Sequence, residues 1–412
     1  MFSSEKVFMA WPSRLIFGAG ERTRLPLLLK KLGYQSALVV TDRFFTTGSN
    51  VIAELVADLA SAGIRSTVFD GGEPNPSVRL CVDVVKWVAE NAPTEPLDLV
   101  IAVGGGSNID LAKVVSITLK HGGHPEEYIG EGRLPGKPLP LVAIPTTSGA
   151  GSEITPGAIL ISDRASTKVA LMDNDLRPAV VVIDPELTLS CPPNVTADAG
   201  LDALTHAIES YLTCDSVEFD RGGNPDPGYS GRSHITKLMA SEAIRLCFQH
   251  LPTAYKTGAD IEARSGMAYG SLLAAFSYAS SGLNAVHALA YALANLTHAT
   301  HGSTNAVFLP YVMDSLRDVR TADLAAIARL AGLTGVDDAD LAKRAIAHTR
   351  DLVGAVGVPT TLKGFGVQER DFPDLVKNGL SVTRLMKAFP IQPADDACRS
   401  IVENAFNGTL RN

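Results

Sequence analysis

Two hydrophobic rhythms divide the chain. Up to about residue 188, short β-branched runs alternate with helical stretches. SALVVTD (36–42), STVFDG (66–71), DLVIAVGGG (98–106), PLVAIPTT (140–147) and AVVVIDPEL (179–187) each read as buried strands, most of them followed by a Gly or Pro turn. Near-continuous apolar strands separated by helices predict a parallel sheet covered on both faces. Beyond about residue 190 the strand pattern stops. Amphipathic helical segments replace it, such as TADLAAIARLAG (321–332) and DLAKRAIAHTRDLVGAVG (340–357). The expected organisation is an α/β domain over residues 1–188 and an all-α domain over 189–412, with no low-complexity linker between them. The cleft between two such domains is the default ligand site.

Two segments break the pattern. The run SLLAAFSYASSGLNAVHALAYALANL (271–296) is long enough to raise a membrane span, but its serines, its Gly-Leu-Asn break and its histidine predict two buried helices packed on small residues. The segment CDSVEFDRGGNPDPGYSGRSH (214–234), rich in Gly, Pro and Asp, reads as a long ordered loop, either functional or a surface insertion.

Composition narrows the classes. The 412 residues are 46% hydrophobic and 19% charged, as in a soluble globular protein of two or three domains. A formal net charge of -8 argues against nucleic-acid or anionic-membrane partners and leaves small molecules or further copies of the chain, a dimer being the expectation. Five cysteines without CxxC spacing indicate a reducing compartment, and the N-terminal sequence does not resemble a secretory signal, so a cytoplasmic protein is expected.

Chemistry concentrates at three places. Gly104, Gly105 and Gly106 stand directly between a strand and a helix, where glycine lets backbone N–H groups approach a phosphate and Ser107 adds a hydroxyl; a tight structural turn would need glycine too. Asp42 ends a strand, where a carboxylate accepts from a ribose 2'-hydroxyl and repels a 2'-phosphate, favouring NAD over NADP; the GxGxxG fingerprint is absent. Within LDALTHAIESYL (201–212), Asp202 and His206 lie four positions apart and share one helix face, as half of a metal site or as a cap beside an unrelated histidine. His287 and His301 fall in later apolar segments. Each alone is more often structural, but with His206 and Asp202 they compose a three-nitrogen, one-oxygen set suited to Fe(II) or Zn(II).

The motifs GGEPNPSV (71–78), GGGSNIDLAK (104–113), IPTTSGAGSEIT (144–155), GLDALTHAIESYL (200–212) and VHALAYALANLTHATHGSTNAVFLP (286–310) together closely resemble the iron-containing, group III alcohol dehydrogenases, over about residues 8–408. The resemblance implies a dehydroquinate synthase-like architecture, in which an N-terminal dinucleotide-binding domain and a helical domain hold NAD(P) and a divalent metal. It implies Asp202, His206, His287 and His301 as metal ligands and Asp42 at the adenosine ribose. Gly104, Gly105, Gly106 and Ser107 would lie at the pyrophosphate, Thr146, Thr147 and Lys168 along the cofactor, and Asp110 on the cofactor side, with Lys113 structural. Many members carry a proton-relaying histidine where this chain has Tyr291, which then relays a proton or fills the pocket. The long loop, with its PGYSG, resembles the hydroxyacid-oxoacid transhydrogenase branch.

The implied reaction is reversible hydride transfer between a small alcohol or hydroxy acid and nicotinamide. A metal-free maleylacetate reductase-like enzyme and a catalytically silent assembly protein are the competing readings, and the intact ligand and phosphate motifs count against both. If the long loop covers the site, Arg232 offers paired donors to an anionic substrate; the alternative is that it pairs with Asp215, Glu218, Asp220 or Asp226.

Overall fold

A computed structural model describes residues 4–92, 96–164 and 167–411. The chain forms two compact units: Ala10–Thr147 with Gly151–Thr188, and Leu189 onward with the segment up to Met9 and Ser148–Ala150.

Among its described residues the first unit has nine strands: β1 (Arg14–Phe17), β2 (Ser36–Val40), β3 (Arg65–Phe69), β4 (Leu99–Gly104), β5 (Gly130–Glu131), β6 (Leu141–Pro145), β7 (Gly157–Ile161), β8 (Lys168–Met172) and β9 (Val180–Ile183). Six of them form a parallel sheet in the order β1-β9-β6-β4-β2-β3. Alternate residues of each strand feed opposite cores. Leu38, Val40, Val100 and Ala102 pack with Leu111 and Val114 of the Gly106–His121 helix, while Val39, Leu99, Ile101 and Val103 pack with Leu25, Leu55 and Leu59 on the other face. Burial on both faces is why these strands read as unbroken apolar runs.

Sequence rhythm expects one sheet here, but β5, β8 and β7 form a separate three-stranded sheet in which β7 runs antiparallel to β8. β5 has only two residues, while β7 (GAILI) and β8 (KVALM) are as long as β2 and nearly as apolar but are only partly buried.

Among its described residues the second unit contains no strand beyond an isolated bridge between Asp215 and Arg232. The apolar run at 271–296 is divided as expected. One helix, Ile261–Ser281, ends at Gly282, and the next, Ala285–Thr297, is capped by the Asn284 side chain accepting from the Ala285 N–H. Gly282 has φ +91° and lies against the Tyr229 ring, which a Cβ would meet at 3.0 Å, so both conformation and packing require glycine. No helix among the described residues is long and apolar enough to cross a membrane.

Candidate functional site

Asp202 lies well inside the helix Pro193–Leu212 rather than at its start, which removes the capping explanation for the acid. Its Oδ1 is 3.7 Å from His206 Nε2, 3.7 Å from His287 Nε2 and 3.9 Å from His301 Nε2, and the Nε2 atoms of His206 and His287 are 3.1 Å apart. Oxygen and nitrogen ligands at about 2.0–2.2 Å from a tetrahedral ion lie about 3.3–3.6 Å from one another, close to these spacings. Three helices supply the donors: Pro193–Leu212, Ala285–Thr297 and His301–Ser315, the last beginning at its own donor.

The rings are aimed by their other nitrogens. His206 Nδ1 is 3.2 Å from the Gly149 carbonyl oxygen, and His287 Nδ1 is 2.5 Å from Glu209 Oε2. Since a carbonyl and a carboxylate only accept, both Nδ1 atoms carry protons and both Nε2 atoms face the cluster. The Tyr278 ring stacks on His206 with centroids 4.1 Å apart, fixing that imidazole from the side. Asn305 Nδ2 lies 2.8 Å from Asp202 Oδ1, 3.1 Å from His287 Nε2 and 3.3 Å from His301 Nε2. An amide has two protons for these three acceptors, so the donor set is electron-rich and fits a cation.

Burial favours neutral Asp202, but His206, His301 and His287 outweigh it and hold the carboxyl well below the usual range. Burial pushes His206 down to about 4 against the opposing pull of Asp202. At His287 burial acts in the same sense, yet Glu209, with Asp202, overcomes it and raises the imidazole to about 9.

Tyr291 follows His287 by one turn. Its ring centroid is 5.6 Å from that of His301 and 6.4 Å from that of His287. Burial, opposed by Arg384, pushes the phenol up to about 12, so it stays protonated at neutral pH.

Arg232 does not reach an anion site. Its side chain is buried and donates to Asp215 Oδ1 at 2.9 Å, Asp323 Oδ2 at 2.6 Å and the Tyr211 carbonyl at 2.9 Å. Pairing with Asp215 was the expected alternative; Asp323, from a distant helix, completes the neutralisation. Together with the backbone bonds between Ser216 and Arg232 and between Arg232 and Cys214, this closes the neck of the 214–234 loop.

In the first unit the carboxyl ends of β2, β4 and β6 gather the expected cofactor residues. Gly104 has φ +148°, and a Cβ there would come within 2.1 Å of Asn108 Nδ2. Gly105 caps the helix Gly106–His121, and the Thr147 side chain packs beside it. Thr146 follows β6, its N–H donating to the Gly104 carbonyl. Ser107 Oγ accepts from the Asn75 N–H at 3.1 Å. Asp42 caps the short helix Arg43–Thr47 through the Phe44 N–H and accepts from Asn108 Nδ2 at 2.7 Å.

Two further motif residues lie away from those strand ends. Asp110 is buried, accepts from the Ile159 N–H at 2.9 Å, and has its pKa raised by burial despite Lys113 nearby. Lys168 opens β8 of the small sheet, within electrostatic reach of Asp110. The fully buried Lys113 donates to the carbonyls of Thr155 and Gly157 at 2.9 and 2.6 Å, and burial lowers its pKa to about 8.

Glu209, Asn305, Tyr278 and Arg384 were not anticipated. Glu209 carried a signal, since it lies seven residues beyond Asp202 on the same helix, two turns along the same face. Asn305 carried one as well, four residues beyond His301 on the same helix, whereas Tyr278 and Arg384 reach the site only through tertiary packing.

Known proteins resemble the chain over nearly its whole length. Residues 12–185 match the family described as "Iron-containing alcohol dehydrogenase", and residues 229–406 match "Fe-containing alcohol dehydrogenase family, C-terminal". Long-chain-alcohol dehydrogenase 1 of Geobacillus thermodenitrificans (strain NG80-2) is 35% identical over 398 residues, 95% of each chain. The crystal structure of a 1,3-propanediol oxidoreductase superposes with a TM-score of 0.88 at 32% identity, covering 97% of this chain and 100% of that one. The sulfoacetaldehyde reductase of Bifidobacterium kashiwanohense, solved in complex with NAD+, gives a TM-score of 0.83 at 27% identity, covering 97% and 98%. The chain belongs to the iron-containing alcohol dehydrogenase family, whose members are oxidoreductases acting on CH–OH groups.

Proposed function

We propose that the protein is a metal-dependent, NAD-linked alcohol dehydrogenase and aldehyde reductase, with Asp202, His206, His287 and His301 holding one Fe(II) or Zn(II). The observation that carries this reading is the convergence of Asp202, His206 and His287, whose ligand atoms lie within 4.8 Å of one another, with His301 Nε2 3.9 Å from the acid and the Nδ1 protons of His206 and His287 tied to Gly149 and Glu209. A divalent ion there supplies Lewis acidity, lowering the pKa of an alcohol hydroxyl or polarising a carbonyl, and NAD supplies the hydride acceptor. The reaction balances as alcohol plus NAD+ giving aldehyde, NADH and one proton.

The chain's own residues hold and orient. Gly149 and Glu209 keep the two Nε2 lone pairs on the cluster. Tyr291, protonated and with its ring beside that of His301, would donate a hydrogen bond to the substrate oxygen, relay its proton or fill the pocket. Gly104, Gly105, Gly106 and Ser107 at a helix N-terminus suit a pyrophosphate, with Thr146 and Thr147 beside them. The Asp42 carboxylate supports NAD over NADP, in keeping with the NAD+ bound by the Bifidobacterium enzyme. The intact donor set disfavours a metal-free mechanism. Five free cysteines, four of them buried, suit a reducing cytoplasm.

The test pairs metal analysis of the purified protein with NAD reduction on a panel of small alcohols, before and after chelation. Activity should vanish with the metal, return on adding Fe(II) or Zn(II), and be lost with bound metal in His206→Ala. Full activity of the metal-free protein would refute the assignment.

A further inference from the structure

Resting on the dehydrogenase reading above, we propose that Arg384 is the anchor for a negatively charged substrate, a short alcohol or aldehyde whose far end carries a carboxylate, sulfonate or phosphonate. The observation is an arginine whose charge no carboxylate balances. Its guanidinium Nη1 donates to the Tyr229 hydroxyl at 2.8 Å, its second polar partner is the Tyr291 hydroxyl, and its carbon centre lies 5.3 Å from the Tyr229 ring centroid. Among the described residues no acid pairs with it.

Arg232 shows what a structural arginine looks like in the same unit: two carboxylates and a backbone carbonyl take its donors. Arg384 has two phenols, which leave donors and a full positive charge for something else. A guanidinium held out of bulk water without a counter-ion costs free energy that an anionic ligand would offset.

Position makes that ligand a substrate. Tyr291 bridges the two sites, with its ring beside His301 and His287 and its hydroxyl at Arg384, and it feels the charges of both Asp202 and Arg384. Arg384, Tyr291 and the His301 side chain are all partly exposed, the last 30% so. A hydroxyl at the histidine cluster and an anion on the guanidinium would then be separated by about the reach of one tyrosine side chain, which suits a chain of a few atoms. The long loop takes part through Tyr229, whose ring is seated against Gly282 and whose hydroxyl positions the guanidinium.

The experiment compares kcat/KM for 2-hydroxyethanesulfonate, 2-hydroxyethylphosphonate and 3-hydroxypropanoate with that for 1-propanol and 1,3-propanediol, using metal-loaded wild type, Arg384→Met and Arg384→Lys with NAD. In wild type at least one anion should exceed the neutral alcohols, and its identity names the head group. In Arg384→Met the anion-to-neutral ratio should fall at least about 30-fold, the lower end expected for removing one partner of a desolvated charge pair. Arg384→Lys, which keeps the charge but not the fork, should fall less. A wild type that favours the neutral alcohols, or an Arg384→Met variant that loses equally on both classes, overturns the proposal. Should no alcohol be oxidised at all, the dehydrogenase reading fails on its own, and calorimetric binding of 2-hydroxyethanesulfonate to the metal-loaded protein still decides. Binding by wild type that Arg384→Met abolishes supports the anchor; equal binding by both, or none by wild type, rejects it.

Discussion

Glu209→Gln is the sharpest probe of the metal site, because it replaces a single oxygen by an NH2 group and keeps the shape. In the wild type both carboxylate oxygens are occupied. Oε1 accepts from the N–H groups of Asn284 and Val286 at 2.8 Å each and of His287 at 3.4 Å, while Oε2 faces His287 Nδ1 at 2.5 Å. A glutamine has one acceptor and one donor at these positions, so only two arrangements are open. If the amide nitrogen faces the imidazole, Nδ1 must become the acceptor, Nε2 takes the proton, and a protonated Nε2 points into the donor cluster. If the nitrogen faces the backbone instead, the buried donors at the start of the helix Ala285–Thr297 lose their acceptor.

The first arrangement removes a ligand lone pair; such partners of metal-bound imidazoles are worth about 10–100-fold in metal affinity. The second costs about 1–3 kcal/mol for each buried N–H left unpaired. Chelator competition measures the metal affinity, and urea unfolding of the metal-free protein measures the stability. The expected result is a metal affinity lowered about 10–100-fold, or a metal-free stability lowered by about 2 kcal/mol or more, or a share of each. Glu209→Ala should lose both. Metal affinity within about twofold of wild type together with unchanged metal-free stability in Glu209→Gln would show that the carboxylate neither orients His287 nor caps its helix.

Further expectations concern the cofactor, a buried acid and the loop. Asp42→Gly should shift the NAD-to-NADP ratio of kcat/KM toward NADP by about tenfold, and should cost only about a few tenths of a kcal/mol through the helix cap, where glycine is itself tolerated; an unchanged ratio removes Asp42 from cofactor selection. Glu153 is buried, and burial lifts its carboxyl from 4.5 to about 7. Its raised pKa means that the folded state holds the proton more tightly, so stability falls as pH climbs from 4.5 to 7 and the penalty, at most about 3 kcal/mol, is complete above 7. Glu153→Gln should therefore stabilise the protein at pH 8 and give little near pH 4; an equal gain at both would exclude charge burial as the cause. Arg232→Met should cost about 1–3 kcal/mol in urea unfolding, since Asp215 keeps Arg320 and Asp323 keeps Lys237 but the buried hydrogen bonds of Arg232 are lost, yet it should keep the anion-to-neutral substrate ratio of wild type. A shift in that ratio would reinstate Arg232 at the substrate.

Much of the fold was legible because the main sheet writes its burial into the chain. Its central strands bury both faces, so SALVV, LVIAVG and LVAIP are apolar without interruption, and GGG must sit where the strand turns into a helix. Strands β7 (GAILI) and β8 (KVALM) are apolar too but stand outside the strand-helix alternation as an antiparallel pair, and they were missed. Asp202 and His206 were legible from helical spacing alone, since a backbone period brings them together. His287 and His301 needed the family resemblance, because no local rule says that helices almost a hundred residues apart will aim their imidazoles at one point.

The two arginines show where local reading stops. Seen along the chain, Arg232 is the natural anion binder, beside glycines in a loop with the look of a functional lid, and Arg384 is one basic residue in VTRLMK. What separates them is the presence of counter-charge. Asp323, which completes the neutralisation of Arg232, lies 91 positions away, and the tyrosines that hold Arg384 lie in two other segments of the chain. Whether a cation is spent on structure or kept for a ligand is thus a property of the folded neighbourhood. The loop's tyrosine does stand beside the site, as its composition suggested, while the charge beside it comes from elsewhere. The 214–234 loop accordingly has two separable parts: a neck locked by Arg232, whose loss should register in stability, and Tyr229, whose loss should register with Arg384 in the discrimination between charged and neutral substrates.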